Sequence, residues 1–324
     1  MEEKRNIEDG GIKDFRAISL KDYAIVLGNG VNLWACPCSI SWDTMAEQTR
    51  QALAPHVPAA ALQNMTNPEK FDYILANAEN TFYGKNLRNH VASCYRNKLD
   101  LSGVQAMQDF AQALQKIGAP VLTTNYDCSI EKTLSLQSSW YKSNQKHNYR
   151  YPFDRYYSDS PISDHVNDFA LWHIHGEFGQ IAKSSRTSIQ DSIRLTTTEY
   201  IELAKEIHDI VYDMYGNQLV MLQNPSAWKG KDTWIEILFN RPLLVLGWGA
   251  GKDEFVLRWL LLWRYGCCKK YGAPQFDDVY VCCSKEPDYL AKVDFFSSIG
   301  FHVIVTQDYG DAYSWIIAQA AAMP

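Results

Sequence analysis

Six short runs of apolar residues recur along the chain, and most of them are followed directly by glycine or by small polar residues. The runs are Tyr23–Leu27, Val121–Thr124, Phe169–Ile174, Pro242–Leu246, Val279–Cys283 and His302–Val305. Runs of this length without polar alternation are typical of parallel strands that are buried on both faces. Stretches with helical apolar spacing separate most of them. This pattern predicts a Rossmann-like, doubly wound α/β domain with a mainly parallel six-stranded sheet.

Two gaps between the runs are longer than one crossover helix requires, and both contain helical patterns. The first holds helical spacing at Asp43–Ala54, Phe71–Asn80 and Val104–Ile117, and the second holds it from Thr198 to Ile207. We therefore expect helical insertions at about residues 43–117 and 177–241.

Two other stretches lack a clear pattern of buried positions. Tyr141–Asp164 is polar and aromatic with few aliphatic residues, which predicts a surface loop. Residues 1–20 are charged and poorly patterned, which predicts an N-terminal leader. The length of 324 residues is compatible with one large domain, so we expect a single domain over residues 21–324 with the insertions described above.

The composition is that of an ordinary globular protein, with 46% hydrophobic and 21% charged residues. A net charge of -6 argues against extensive binding to a phosphate backbone, so no direct contact with nucleic acid is expected. No apolar run reaches the roughly 20 residues of a membrane span. The N-terminal residues also lack the apolar stretch of a signal peptide. We therefore expect a cytoplasmic protein that binds a small molecule and no membrane.

The cysteines do not form an evident metal site. The chain has 8 cysteines, but no pair has the C-x₂₋₄-C spacing of a structural zinc site, and Cys36 and Cys38 are closer than that spacing. Reduced thiols that pack as small hydrophobic side chains, and no bound metal, are therefore the expectation.

Glycines follow the first and fourth apolar runs, at Gly28–Asn32 and at Gly247–Gly251. In open α/β sheets, ligands bind outside the carboxyl ends of the strands. Glycines at such ends let the backbone approach a phosphate or a ribose. A tight or flexible glycine turn explains each segment about equally well.

Polar residues follow the second and third runs. The segment Thr123–Asp127 carries Asn125 and Asp127, which could bind ribose hydroxyls and a carboxamide, or could cap the helix that begins near Ser129. In Trp172–Gly176, strand alternation predicts that His173 and His175 lie on one face, where a histidine can act as a base near neutral pH. A single buried histidine would more often be a structural residue.

The order of these four segments resembles the sirtuin family. Gly-x-Gly, then Thr-Thr-Asn-Tyr-Asp, then His-x-His-Gly, then Gly-x-Gly is similar to the zinc-lacking, sirtuin-like NAD hydrolases of bacterial anti-phage defence. Gly28–Asn32 stands where that branch commonly has GAGVS. Ser41-Trp42 and Arg194–Tyr200 resemble two further segments of the branch, so the resemblance covers about residues 21–310.

The resemblance implies roles for particular residues. His175 would be the base, Asn125 would orient water or ribose, and Asp127 would read the nicotinamide carboxamide. His173 would pack behind the site. The residues that would bind the NAD molecule are Gly28, Asn29, Gly30, Asn32, Asp127, Gly247, Trp248 and Gly249. Three of these positions, Asn29, Asn32 and Gly249, depart from the small residues and the serine that the branch usually has there.

The resemblance further implies an NAD⁺ glycohydrolase that uses NAD as its substrate and no metal. An NAD-dependent protein deacylase or ADP-ribosyl transferase is one alternative, although the cysteine quartet of the deacylases is missing. A non-catalytic nucleotide-sensing subunit is the other. Because unrestrained NAD hydrolysis would kill the host, we expect control by homo-oligomerisation or by a partner, such as a helicase-type ATPase or an Argonaute-like protein.

Overall fold

A computed structural model describes residues 18–78, 87, 90–92, 94–95, 98–140, 152–178, 193–212, 220–224, 226 and 228–323. The predicted N-terminal leader therefore lies outside the described residues, except for residues 18–20.

Eight strands in the described part of the chain form one sheet. They are β1 (Ala24–Leu27), β2 (Val121–Thr123), β3 (Gln137–Trp140), β4 (Arg155–Ser158), β5 (Leu171–His173), β6 (Leu243–Leu246), β7 (Val279–Cys283) and β8 (His302–Thr306). Their order across the sheet is β3-β4-β5-β2-β1-β6-β7-β8. The six strands β5, β2, β1, β6, β7 and β8 pair in parallel with their neighbours. At one edge of the sheet, β3 pairs antiparallel with β4, and β4 pairs antiparallel with β5. The mainly parallel, Rossmann-like α/β fold is thus confirmed.

The prediction of six strands was too low, because β3 and β4 extend the sheet. The second of these strands lies inside the stretch that was predicted to be a surface loop, and all four of its residues are buried. Its apolar surface comes from Tyr156 and Tyr157 rather than from aliphatic residues. The hydroxyl of Tyr157 donates to Glu177 at 2.8 Å, and Arg155 donates to Tyr157 at 2.8 Å. Polar side chains with such partners can be buried, and a hydropathy pattern does not reveal this.

Eleven α-helices lie within the described residues. They are α1 (Gly30–Ala35), α2 (Trp42–Leu53), α3 (Asn67–Ala76), α4 (Gln105–Ile117), α5 (Ser129–Leu134), α6 (Thr197–Val211), α7 (Val220–Gln223), α8 (Trp234–Asn240), α9 (Phe255–Tyr271), α10 (Tyr289–Ser298) and α11 (Gly310–Ala322). The first four lie between β1 and β2, and α6 to α8 lie between β5 and β6. None of the helices that the structure describes is both long enough and apolar enough to cross a membrane.

Apolar clusters cover both faces of the sheet. On one face, Ile25 of β1 packs in a cluster with Phe110 of α4 and Ile316 of α11. On the other face, Val26 of β1 packs in a cluster that includes Leu260 of α9 and residues of α6 and α8. Successive β1 side chains therefore point into opposite clusters, as expected for a strand that is buried on both sides.

The turn after α1 corrects one expectation about the cysteines. Cys36 and Cys38 form a disulfide, with their Cα atoms 5.2 Å apart, whereas reduced thiols were expected throughout. The Ser39 N–H donates to the Cys36 carbonyl at 2.8 Å, and this turn brings the two residues together. The spacing that is too short for a zinc site is therefore within the range of a disulfide. The remaining six cysteines are free thiols.

The strand order determines where a ligand can bind. If the six parallel strands are numbered 1 to 6 along the chain, their order across the sheet is 3-2-1-4-5-6. After β1 the chain adds strands on one side, and from β6 onward it adds them on the other. The crevice between β1 and β6 is thus the topological switch point, where ligands of this fold class bind.

Candidate active site

A cleft of about 430 Å³ opens at the switch point, at the carboxyl ends of the central strands. Its walls come mainly from the segments that follow β1, β2, β6 and β7, with further residues from the start of α3 and from α6. The predicted site residues in its lining are Asn29, Gly30, Asn32, Asn125, Asp127, Gly247, Trp248 and Gly249. Gly28 and His175 are not part of that lining. The structure therefore brings most of the predicted residues to one place.

The glycines after β1 and β6 let two loops touch. A Cβ atom on Gly28 would lie 2.5 Å from the Gly247 carbonyl oxygen, and one on Gly30 would lie 2.6 Å from the Gly247 Cα. Gly247 itself has φ +61°, and a Cβ there would lie 2.2 Å from the Tyr313 hydroxyl. All three positions thus require glycine for close approach, and Gly247 also requires it for its left-handed conformation.

The same contact limits the predicted phosphate cradle. The N–H of Gly28 donates to the Leu246 carbonyl at 3.0 Å, and the N–H of Gly30 donates to the Gly247 carbonyl at 2.8 Å. Both groups are therefore engaged within the protein. A phosphate at the first loop would need other donors.

Asn125 links the second strand end to the first. Its backbone N–H donates to the Thr123 Oγ1 at 3.1 Å, and its side-chain Nδ2 donates to the Gly28 carbonyl at 3.2 Å. The residue also lines the cleft. Its amide is therefore held at the cleft wall by a contact with the neighbouring loop.

Asp127 has two partners in the protein. Its Oδ1 accepts from the Ser129 N–H at 3.1 Å, which is the helix-capping interaction that the sequence left open. Its Oδ2 accepts from the Asn32 Nδ2 at 2.6 Å, and Asn32 also donates to the Asn29 side chain at 3.1 Å. Two of the residues that depart from the family pattern thus form a hydrogen-bonded chain with Asp127 on the cleft wall.

His173 lies behind Asn125, away from the cleft lining. Its Nδ1 is 2.7 Å from the Asn125 carbonyl oxygen, and its Nε2 contacts the Glu131 carboxylate. A carbonyl can only accept, so Nδ1 carries a proton. Burial alone would lower the pKa of His173, but the carboxylates of Glu131 and Glu177 and the Asn125 carbonyl raise it. His173 therefore holds the backbone of Asn125 through its Nδ1–H.

His175 is fully buried one side chain behind the cleft wall. Its Nδ1 lies 3.2 Å from the Tyr200 hydroxyl and 3.7 Å from the Glu254 Oε2, and both of these residues line the cleft. Burial and the positive charge of Arg194 lower the pKa of His175 to about 3. The imidazole is therefore neutral over the physiological pH range.

The two histidines do not share a face, contrary to the prediction. The strand ends at His173, and a turn follows it, so strand alternation does not extend to His175. The contacts of His173 are to Asn125 and Glu131, whereas those of His175 are to Tyr200 and Glu254. The two imidazoles thus occupy different environments.

Glu254 is a cleft residue that the sequence did not single out. It lines the cleft directly before α9, and its buried Oε2 has no hydrogen-bond partner within the described residues. Burial, together with the charge of Asp253, raises the pKa of Glu254 to about 8. The only sequence signal is its position just after the second glycine loop, at the start of a helix. Its raised pKa comes mainly from burial, which no motif displays.

The cleft also extends toward residues after β7, which the sequence did not predict. Lys292 contacts Glu286, and its Nζ lies 3.1 Å from the Asp288 carboxylate. Both acidic residues and the lysine line the cleft. Carboxylates at such a position can accept hydrogen bonds from hydroxyl groups of a ligand.

Two groups of described residues have atoms close enough to share a metal ion. One is the buried set Cys128, Glu131 and His173, and the other is His165 with Asp232 and Glu236. In the first group the Cys128 thiol donates to Glu177 at 3.6 Å, and His173 pairs with Glu131. In the second, His165 and Glu236 are 2.8 Å apart. In both groups, potential metal-ligand atoms are therefore already engaged with other protein groups.

A comparison with protein families finds one family model that matches the central part of the chain. Residues 120–260 match the family model of the SIR2-like domain. The matched segment runs from the residue before β2 into α9, and it contains Asn125, His175, the second glycine loop and Glu254. No curated protein matches the chain.

Proposed function

We propose that this chain, whose residues 120–260 match the family model of the SIR2-like domain, hydrolyses NAD⁺ to nicotinamide and ADP-ribose. The match to this family model supports a sirtuin-type, NAD-related function, and hydrolysis is the specific reaction that we infer. One observation supports it most strongly. Asn125 and Glu254 lie on the wall of one cleft at the switch point, with His175 in contact with Glu254.

The reaction makes modest demands on the protein. The bond between the ribose C1′ and the nicotinamide nitrogen breaks, and nicotinamide leaves as a neutral molecule, so no strong acid is needed. Water adds to C1′ and loses one proton. Positioning of the ribose and the water, together with a group that accepts this proton, therefore dominates catalysis.

The cleft residues supply these functions. The amide of Asn125 orients the water or a ribose hydroxyl. Glu254, with a pKa raised to about 8, is close to the range in which a carboxylate is an effective base near neutral pH. His175, the base that the resemblance implies, contacts Glu254 from behind. We assign acceptance of the proton to Glu254, the member of this pair that faces the ligand, and positioning of Glu254 to His175.

Loss of NAD, followed by chromatography, tests the proposal. His175→Ala, Asn125→Ala and Glu254→Gln should each lower the rate by about 10²-fold or more, because each removes a positioning group or the proton acceptor. The exposed Glu202→Gln of α6 is the matched control and should keep the wild-type rate. Melting curves establish that each variant is folded.

Wild-type rates in His175→Ala and Asn125→Ala, with unchanged melting curves, would refute the site. The alternative functions give other results in the same assay. A deacylase consumes NAD only when an acyl-lysine peptide is present. A nucleotide-sensing subunit binds NAD or ADP-ribose and turns over neither.

The proposed biological role is depletion of NAD during anti-phage defence, under control of self-assembly or of a partner protein. The support is the resemblance of the four motifs and the toxicity that an unrestrained enzyme would have. A helicase-type ATPase or an Argonaute-like protein is the proposed class of partner. A purified chain that is monomeric at micromolar concentration and fully active by itself would contradict this regulation.

A further inference from the structure

A chain of hydrogen bonds runs from His175 to two tyrosines of the cleft wall. The His175 Nδ1 lies 3.2 Å from the Tyr200 hydroxyl, and this hydroxyl lies 3.2 Å from the Tyr126 hydroxyl. The Tyr126 hydroxyl in turn donates to the Arg194 carbonyl oxygen. Both tyrosines are almost completely buried. The other ring nitrogen of His175, Nε2, is buried and has no hydrogen-bond partner within the described residues.

The number of protons in this chain determines the direction of every bond. The Arg194 carbonyl can only accept, so the single hydroxyl proton of Tyr126 is used there. Tyr126 must then accept from Tyr200, which uses the single proton of Tyr200. Tyr200 can therefore only accept from His175. The reverse arrangement, with Tyr200 donating to His175, would leave the two phenol oxygens facing each other without a proton between them.

We propose that Tyr126 and Tyr200 are positioning residues that hold neutral His175 in the tautomer with its proton on Nδ1. Nε2 is then the only ring atom of His175 that can accept a proton. The tautomer follows from the contacts alone, whereas its consequence for catalysis rests on the proposed hydrolysis of NAD. The tyrosines thus have the orienting role that a carboxylate has in a Ser-His-Asp triad.

The charged groups around His175 support this assignment. The positive charge of Arg194 opposes a second proton on the ring. Burial raises the pKa of both Tyr126 and Tyr200 well above the ordinary value, so both phenols keep the proton that the chain requires.

Nitrogen NMR of the full chain labelled with ¹⁵N-histidine reads the tautomer directly. A long-range ¹H–¹⁵N spectrum distinguishes a protonated from an unprotonated ring nitrogen for each of the 8 histidines. The His175→Gln variant identifies the His175 signals, and the local shift caused by Glu254→Gln gives a second route to the same assignment. We expect Nδ1 protonated and Nε2 unprotonated between pH 6 and 8, as for a neutral ring.

Two phenylalanine variants test the cause. In Tyr126→Phe, the Tyr200 proton has no phenolic acceptor and becomes available to Nδ1, so the tautomer shifts to protonated Nε2. In Tyr200→Phe, Nδ1 loses the hydroxyl that accepts its proton, so the ring is no longer held in one tautomer and the His175 nitrogen signals should change. Tyr156→Phe, which removes a buried hydroxyl near the Ile162 N–H, is the control and should leave the His175 signals unchanged.

Kinetics connect the tautomer to the proposed activity. Tyr126→Phe should lower kcat for NAD by about 10²-fold or more, because the ring then turns an unprotonated Nδ1 toward the Glu254 carboxylate that accepts the proton, with KM changed by about twofold at most. A wild-type spectrum with protonated Nε2, or Tyr126→Phe with an unchanged tautomer, would overturn the inference. A protein that shows the expected tautomer and no cleavage of NAD would refute only the proposed function.

Discussion

Glu254 shows how strongly position can change the chemistry of one residue. Its carboxyl group has a pKa of 4.5 in the absence of the fold, and burial raises the value to about 8. Between these two pH values the folded protein retains a proton that the unfolded chain has released. The free energy of unfolding therefore receives a contribution from Glu254 that decreases as pH rises through this window.

This sign gives a prediction that does not depend on the function. The Glu254→Gln variant carries a neutral amide at every pH, so its stability relative to wild type should increase from pH 5 to pH 8, by at most about 1.4 kcal/mol per pH unit. Chemical denaturation of both proteins at several pH values measures the difference. A constant difference across the window would show that Glu254 has an ordinary pKa.

The candidate site residues differ in how far the sequence revealed them. Asn125 and Asp127 belong to a compact motif at a strand end, and the structure places both on the cleft wall. His175 also belongs to a motif, but its complete burial behind Tyr200 depends on α6, which is distant in the chain. Glu254 belongs to no recognised motif, because its raised pKa is a property of the assembled interior.

At the scale of elements, the two glycine loops behave as one unit, because each limits the backbone of the other. A methyl group on Gly28 would overlap the Gly247 carbonyl oxygen at 2.5 Å. At Gly249, in contrast, a Cβ would have no neighbour within 4 Å. Two glycines of similar sequence context thus have very different surroundings.

We therefore expect Gly28→Ala and Gly247→Ala each to lower the free energy of unfolding by at least about 2 kcal/mol, from steric overlap and, at Gly247, from its positive φ. Gly249→Ala is the matched control and should change stability by no more than about 0.5 kcal/mol. Equilibrium denaturation measures all three. Equal stabilities of the three variants would mean that the two loops can move apart at little cost in free energy.

The elements themselves were predictable where apolar side chains form the pattern. All six parallel strands lie at predicted apolar runs. Five of them, β1, β2, β5, β6 and β7, are buried along their whole length, and such strands are almost continuously apolar. The antiparallel edge was missed, since β4 buries polar atoms that pair with one another. Arg155 and Glu177 lie 3.1 Å apart there and are both almost fully buried. A pairing between distant residues leaves no periodic trace in a sequence.

At the scale of the whole molecule, Asp278 connects three parts of the fold. Its Oδ2 accepts from Arg264 of α9 at 2.7 Å, and its Oδ1 accepts from the Leu243 N–H of β6 at 2.8 Å. Arg264 also donates to the Arg241 carbonyl at 2.8 Å. One buried ion pair thus joins a long helix to two neighbouring strands.

Asp278→Ala should lower the free energy of unfolding by about 3–5 kcal/mol, because it leaves the buried Arg264 guanidinium without its counter-charge. The control is Lys285→Ala, which removes an exposed ion pair with Asp308 and should leave the unfolding midpoint unchanged. Thermal and chemical unfolding of the two variants provide the comparison. Similar midpoints would show that the buried pair does not hold the sheet to α9.

The central position of β1 also has a consequence for the timing of synthesis. Ala24 of β1 pairs with Leu243 of β6. The pairing of β1 with β6 can therefore form only after about 220 further residues have been translated. Until residue 254 has emerged, the nascent chain lacks both the second glycine loop and Glu254. The cleft therefore forms only after six of the eight strands have been translated, and a shorter nascent chain has no complete cleft in which to bind a ligand.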